Sequence, residues 1–164
     1  MKKLLVLLFS ILISLNSYGE TICVETDAQE RDGIIYLTTS DGVEPFTGKD
    51  VCKYENGQKE SEGNYKDGKK HGKVTWWYEN GQIKIEANYK DGILDGNWTE
   101  WHENGQKKFE GNFKDGKQDG KLTEWFENGQ ISVEVNYKDG KKHGKVTWWY
   151  ENGQIAGDVN FKDG

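Results

Sequence analysis

The sequence is short of the residues from which helical bundles are built. Met occurs once in 164 residues and Pro once, and Ala and Leu are sparse while Gly reaches 21; so many turn-formers exclude a long helical bundle. Hydrophobic residues supply 34% of the chain, against a usual share of ~45–50%. Basic residues are also in deficit. There are 22 Lys and Arg against 28 Asp and Glu, a net charge of −6, which argues against a general nucleic-acid binder with its basic footprint. One apolar run near the start, of about twelve residues, could suggest a membrane anchor but is shorter than the ~20 residues of a membrane-spanning helix, and no second apolar stretch of that length exists. Aromatics are plentiful, at 13% with seven Trp, whereas disordered chains are poor in them. These absences and this surplus together point to a turn-rich β protein.

The apolar run lies in the first twenty residues. Lys2 and Lys3 precede Leu4 to Leu15, and Asn16, Ser17, Tyr18 and Gly19 follow, with small residues at 17 and 19. This layout predicts a bacterial-type secretory signal peptide over residues 1–19, cleaved after Gly19, and therefore export to the periplasm, the cell surface or the medium. Cys23 follows Glu20, Thr21 and Ile22 rather than a lipobox, so a lipoprotein is disfavoured. Cleavage removes two lysines and no acid, so the charge of −6 becomes −8. Cys23 and Cys52 remain. An even count in an exported chain suits one disulfide, closing a loop of about thirty residues and stabilising by roughly 3–4 kcal/mol in the chain-entropy model. The alternative is two unpaired thiols, and no Cys-Cys metal spacing is present.

The rest of the chain repeats. Glu-Asn-Gly-Gln begins at Glu55, Glu79, Glu103, Glu127 and Glu151, and Lys-Asp-Gly begins at Lys66, Lys90, Lys114, Lys138 and Lys162. Gly48, Gly72, Gly96, Gly120 and Gly144 keep the same 24-residue period, and a fixed period of this size marks a repeat architecture. Asn-Gly and Asp-Gly both favour tight hairpin turns with φ > 0. Between them, Ile83, Ile85, Ala87 and Tyr89 alternate with polar residues, the pattern of a half-buried strand. In the other segment Val74, Trp76 and Tyr78 face one way and Thr75 and Trp77 the other, with Gly72, Gly96, Gly120 and Gly144 opening the strand after a short loop. Each unit is thus a β-hairpin, marginal alone, and stacked hairpins give an elongated antiparallel sheet whose stability is a near-neighbour sum. The expected fold class is all-β.

Residues 20–47 are less regular. Ile34 to Leu37 read as a strand and Asp41-Gly42 as a turn, so this part is expected to form an N-terminal strand and cap before the array of residues 48–164. The sequence stops on the turn Lys162-Asp163-Gly164: either the last strand is a bare edge, which invites self-association through the C-terminal edge, or the chain is a truncated member of a longer family. Residues 64–83 and 136–155 are identical and lie 72 residues apart, which points to recent duplication.

Tyr/Phe-Lys-Asp-Gly, then Gly, then Trp-x-Glu-Asn-Gly-Gln resembles the MORN repeat in its bacterial type-2 variant, found in exported and YwqK-like antitoxin proteins, from about Pro45 to Gly164. The resemblance implies an extended antiparallel sheet, protein–protein contacts or membrane-proximal scaffolding, and no catalytic residues. Val-Thr-Trp-Trp-Tyr-Glu-Asn-Gly-Gln is also similar to choline- or glucan-binding cell-wall repeats, but those run nearer twenty residues and begin with Gly-Trp. The fixed 24 favours MORN.

Trp77, Trp101, Trp125 and Trp149 recur once per unit and are read mainly as packing between hairpins. Trp76 and Trp148 alternate with Glu100 and Glu124 in their column, which suggests an exposed face and a local contact patch. These six tryptophans are the candidate binding residues. His71 and His143 share a column with Asp95 and Asp119 and read as loop residues, and His102 shares one with Tyr78 and Phe126 and reads as packing. Asp67, Asp91, Asp115 and Asp139 recur at turns, where their side chains are expected to bond local backbone. No catalytic, nucleotide, calcium or other metal motif appears, so neither an enzyme nor a cofactor is expected. The reading is an exported, non-catalytic scaffold or protein-interaction module at the cell envelope. Its alternatives are a module for envelope polysaccharide and a periplasmic inhibitor or immunity protein.

Overall fold

The computed structural model describes residues 20–162, so the expected signal peptide lies outside the described residues. In chain order come β1 (Glu20–Ile22), α1 (Val24–Asp27), β2 (Gln29–Arg31), β3 (Ile34–Thr39), β4 (Gly42–Pro45) and β5 (Gly48–Lys53). The repeats follow as β6 (Lys59–Lys66), β7 (Lys69–Lys70), β8 (Gly72–Trp77), β9 (Ile83–Lys90), β10 (Ile93–Trp101), β11 (Lys107–Lys114), β12 (Lys117–Trp125), β13 (Ile131–Lys138), β14 (Lys141–Trp149) and β15 (Ile155–Phe161). From β5 onward the array is an antiparallel meander in sequence order, with short β7 also paired to β6, while β2, β3 and β4 form a separate small sheet. One strand departs from the expected pattern. β1 joins β5 in parallel, Glu20 opposite Gly48 and Ile22 opposite Asp50.

The two turns of each unit differ, although both were read as paired φ > 0 steps. At the Asp-Gly turn both residues are left-handed, with Asp91 at φ 52° and Gly92 at 83°, the geometry of a two-residue type I′ hairpin. At the Asn-Gly turn only Gly is, with Gly81 at φ 82°. Here Tyr78 N–H donates to Gln82 O at 2.8 Å and Gly81 N–H to Tyr78 O at 2.9 Å, a three-residue loop with a bulge at its glycine. Asn80 instead uses its side chain, with Oδ1 accepting from Gln82 N–H at 2.9 Å.

A second difference concerns the glycine that was expected to open each strand. β10, β12 and β14 run straight on from the Asp-Gly turn, and Gly96, Gly120 and Gly144 sit inside them. The register slips there, between Leu94 and Trp98 on the β9 side of β10, as a β-bulge requires. Only the first unit breaks, into β7 and β8.

Residues directly opposite each other share a face. Val74 pairs with Ala87, Trp76 with Ile85, Leu122 with Val135 and Val146 with Val159, which defines one apolar face. Leu122, Val135 and Val146 are buried there, with Phe109, Val133, Tyr137 and Phe161 packed around them. Each buried side chain of this kind contributes about 1.5–3 kcal/mol. The opposite face is charged and self-paired: Lys49 to Glu62 at 2.6 Å, Lys73 to Glu86 at 2.5 Å, Lys121 to Glu134, and Lys145 to Asp158 at 3.4 Å. Exposed pairs like these are worth under about 1 kcal/mol each; they keep that face wet and in register.

The small sheet docks on the first Asp-Gly turn. Ile35 N–H donates to Gly68 O at 2.9 Å, and Gly68 N–H to Phe46 O at 2.8 Å. Ile35, Phe46 and Tyr65 form a buried cluster with Ile22, Val24, Ala28 and Leu37 against it. Burial holds the Tyr65 phenol well above its usual range, with Asp50 and nearby glutamates adding to the effect.

Candidate functional site

The six candidate tryptophans lie on opposite faces. Trp77, Trp101, Trp125 and Trp149 alternate with the apolar positions of their strands and so stand on the Lys/Glu face, half-buried. A register slip puts Trp77 across from Ile83, Trp101 from Lys107, Trp125 from Ile131 and Trp149 from Ile155. On their other side lysines cover two of the rings: Lys59 Nζ is 5.4 Å from the Trp77 centroid and Lys107 Nζ 5.6 Å from that of Trp125. The result is a ridge of alternating indole and Lys/Ile side chains, one Trp every second strand, roughly 10 Å apart.

Trp76 and Trp148 stand on the apolar face, beside Val74 and Val146; Trp148 is exposed as expected and Trp76 is half-buried. Their surroundings differ. Trp76 meets Tyr89 edge-on at 6.5 Å, and Lys70 Nζ lies 4.9 Å from the Trp76 centroid and 5.5 Å from that of Tyr89. Trp148 is 38% exposed and rests on Gly157, where an added Cβ would come within 2.6 Å of its Cζ2. Glu100 and Glu124 lie in the same row between them, and Lys108 donates to Glu100 at 2.7 Å, which raises the Lys108 pKa.

The Asn-Gly loops stack along one edge of the sheet. Asn56, Asn80, Asn104 and Asn128 each donate from Nδ2 to the carbonyl of the Glu that opens the next loop, at 2.8–3.3 Å. Beneath them Tyr54 donates to Trp77 O at 2.6 Å and Tyr78 to Trp101 O at 2.7 Å. Desolvation is the first cause of the raised pKa of both phenols. His102 takes the same role, its Nε2 3.1 Å from Trp125 O; a carbonyl only accepts, so Nε2 carries the proton. A depression along this edge is lined by Tyr78, His102, Glu103, Asn104, Lys108 and Glu127.

The Asp-Gly edge works differently from expectation. The carboxylates that bond backbone there are those of Asp95 and Asp119, accepting from Asp115 N–H at 3.4 Å and Asp139 N–H at 3.3 Å. Exposed His71 lies 3.5 Å from Asp91, and His143 is exposed in its strand β14.

At the start of the array Cys23 and Cys52 form a disulfide. Beside it Asp50 is buried, and its Oδ1 accepts from Val24 N–H at 3.0 Å. Burial pushes the Asp50 carboxyl above the usual range, while Lys70 draws it back; burial likewise lowers the pKa of Lys70. Asp50 escaped notice in the sequence. Its column otherwise holds Val74, Trp98, Leu122 and Val146, and that polar substitution in an apolar column was the signal.

A family model described as MORN repeat variant matches five consecutive segments, residues 51–67, 70–91, 94–115, 118–139 and 142–163. The chain belongs to the MORN repeat variant family. Each matched MORN segment after the first covers one hairpin closed by an Asn-Gly loop and is cut at the Asp-Gly turn. MORN repeats are modules for contact with proteins or membranes, and the family is generally non-catalytic. Among curated proteins none matches this MORN chain, and among its described residues no helix is long and apolar enough to cross a membrane.

Proposed function

We propose that the chain is an exported, non-catalytic repeat protein that binds a protein partner as an interaction or scaffold module at the cell envelope. The observation that carries this reading is the ridge of Trp77, Trp101, Trp125 and Trp149 with its intervening Lys and Ile side chains. One surface is repeated along the sheet, where catalysis needs a single asymmetric site. Half-buried indoles offer large contact area with little entropy to lose, and such anchors dominate protein interfaces. The leader-like residues Lys2, Lys3 and Leu4–Leu15 support export.

The test is affinity capture from envelope extract with the chain and with the Trp101→Ala/Trp125→Ala variant, circular dichroism verifying that both are folded. One stoichiometric protein, retained by the parent and lost at least about tenfold by the variant, is the expected result. Equal capture by both overturns the assignment to the ridge. Inhibition of the captured protein's own activity would identify an inhibitor or immunity role.

One observation favours envelope polysaccharide as a second reading. Trp148 rests against Gly157 and is 38% exposed, so an indole is available there for a sugar ring to stack on. Retention on purified envelope polysaccharide, abolished by Trp76→Ala plus Trp148→Ala, would replace the first reading with this one.

A further inference from the structure

We propose that Cys23, Cys52 and Asp50 form, once the disulfide is reduced, a binding site for one thiophilic divalent cation of the Zn2+ class. The three donor atoms lie within 4.8 Å of one another, the one such group among the described residues. Two of them are already spaced as ligands. Cys52 Sγ is 3.6 Å from Asp50 Oδ1, and a disulfide sulfur has no proton to donate, so this contact is not a hydrogen bond. Metal–sulfur and metal–oxygen bonds of about 2.3 and 2.0 Å at a tetrahedral angle place S and O about 3.5 Å apart. Only the Cys23 sulfur has to move, from bonded contact to about 3.8 Å from its partner. Rotation of the half-exposed Cys23 side chain supplies that movement, while its backbone stays bonded to Thr26 and Asp27. Cys52 and Asp50, at 2% and 6% exposed, supply a rigid, dry floor.

The charges also match. Reduction breaks the S–S bond with two electrons: a dithiol gives them with its two protons and leaves as a cyclic disulfide, whereas a phosphine leaves as its oxide, taking the oxygen of one water whose two protons go to the new thiols. The cation then displaces both thiol protons and binds two thiolates and one carboxylate, a complex of net charge −1. Lys70 is the cation whose field already acts on Asp50, and it balances that charge. Half-exposed Cys23 leaves water access to the fourth position of a tetrahedral ion. No spacing motif announces the site, because its sulfurs are 29 residues apart and its carboxylate stands in a column that is otherwise apolar. Exchange with a small-molecule disulfide, which accepts two electrons and leaves as two thiols, re-forms the Cys23–Cys52 bond and releases the ion, so the site is open in one redox state only.

Titration of the phosphine-reduced full chain with Co2+, oxygen excluded and phosphine removed, tests this. The expected result is one equivalent bound, with thiolate-to-cobalt charge transfer and the strong visible bands of a tetrahedral site, displaced by Zn2+. The oxidised chain should show none. Asp50→Asn should weaken binding by more than the tenfold typical of losing an outer-shell partner, and Cys23→Ser, which leaves Asp50 in place, should abolish the charge-transfer band even if Asp50→Asn fails to fold. No band in the reduced chain, an equal response from the oxidised chain, or unchanged affinity in folded Asp50→Asn overturns the proposal.

Discussion

The indole of Trp148 lies against Gly157, whose missing methyl group would sit 2.6 Å from Cζ2 and 2.8 Å from Cε2. Trp76 belongs to an identical twenty-residue segment but faces Ile85, and it turns edge-on to Tyr89. The residue across the ladder, rather than the tryptophan's own neighbours in sequence, decides where the ring goes. Gly157→Ala removes the seat without straining the backbone, because Gly157 lies outside the left-handed region. Overpacking of this kind costs about 1–3 kcal/mol. The expected outcome is a red shift of tryptophan emission with a lower denaturation midpoint; unchanged values of both would show that the ring does not depend on that seat.

The column Tyr54, Tyr78, His102, Phe126 contains a natural deletion experiment. Three of these side chains bond a tryptophan carbonyl in the next unit, and Phe126 has no polar atom with which to do so. Tyr78→Phe should therefore cost about 1 kcal/mol, the net worth of one hydrogen bond. Phe126→Tyr should gain a comparable amount by reaching Trp149 O. Opposite shifts of the urea midpoint in the two variants are the expected reading, and same-direction shifts would refute it.

Asn80 faces two ways, accepting from its own loop at Gln82 N–H and donating to Glu103 O in the next. Asn80→Asp keeps the acceptor and loses the donor, setting a carboxylate against a carbonyl. The expected loss is about 1–3 kcal/mol. Asn152 has the same internal bond, but its Nδ2 lies 3.5 Å from Gln154 Oε1 rather than on a neighbouring unit. Asn152→Asp should therefore cost clearly less, as chemical denaturation of the pair would reveal.

Much but not all of this architecture was legible in the sequence. The Asp-Gly steps, the alternation of Ile85, Ala87 and Tyr89, and the 24-residue period are local signals, and local signals specify hairpins. Asn-Gly misled because the dipeptide suits both a type I′ turn and the longer loop with a bulge; all these loops, including the last, where Asn152 bonds no other unit, share the bond from the Gln N–H to Asn Oδ1 that goes with the longer form. The bulges at Gly96 and Gly120 re-aim the chain only once a partner strand is present. The alternation of Trp76 and Trp148 with Glu100 and Glu124 pointed to an exposed column, and Trp148 is exposed; that Trp76 is half-buried goes with its cross-strand partner, Ile85 rather than Gly157. Asp50 became meaningful only when residues 20–28 folded over it.

Glu62 accepts from both Lys49 and Lys59, and these bonds hold its carboxyl below the ordinary range. A carboxyl whose pKa is lowered by folding adds stability above its unfolded value near ~4.3, and that stability disappears as pH falls through the lowered folded value. Glu62→Gln should thus be less stable than the parent at neutral pH, by under about 1 kcal/mol because the lysines are half-exposed. The gap should close as the pH drops below ~4. Denaturant midpoints measured across that window check the sign, and a gap that widens in acid would contradict it.

The Cys23–Cys52 link joins residues 29 apart, and chain entropy values such a loop at about 3–4 kcal/mol. That stabilisation should stay local. Repeat arrays hold each unit mainly by its neighbours, and the cluster of Ile35, Phe46 and Tyr65 is separate from that of Leu122, Val135 and Val146. Reduction in the presence of a metal chelator should therefore loosen β1, α1 and β5 first. β1 and α1 are tied to β5 by a three-residue parallel pairing, the Val24–Asp50 bond and the disulfide, with Ile22 and Val24 packed against the small-sheet cluster, while β5 is also paired with β6. Hydrogen exchange is the appropriate measurement: peptides covering residues 20–53 should lose protection on reduction, while those covering 107–149 keep theirs. Loss of protection along the whole array would mean that the disulfide staples one cooperative unit, and the near-neighbour account of this sheet would have to be abandoned.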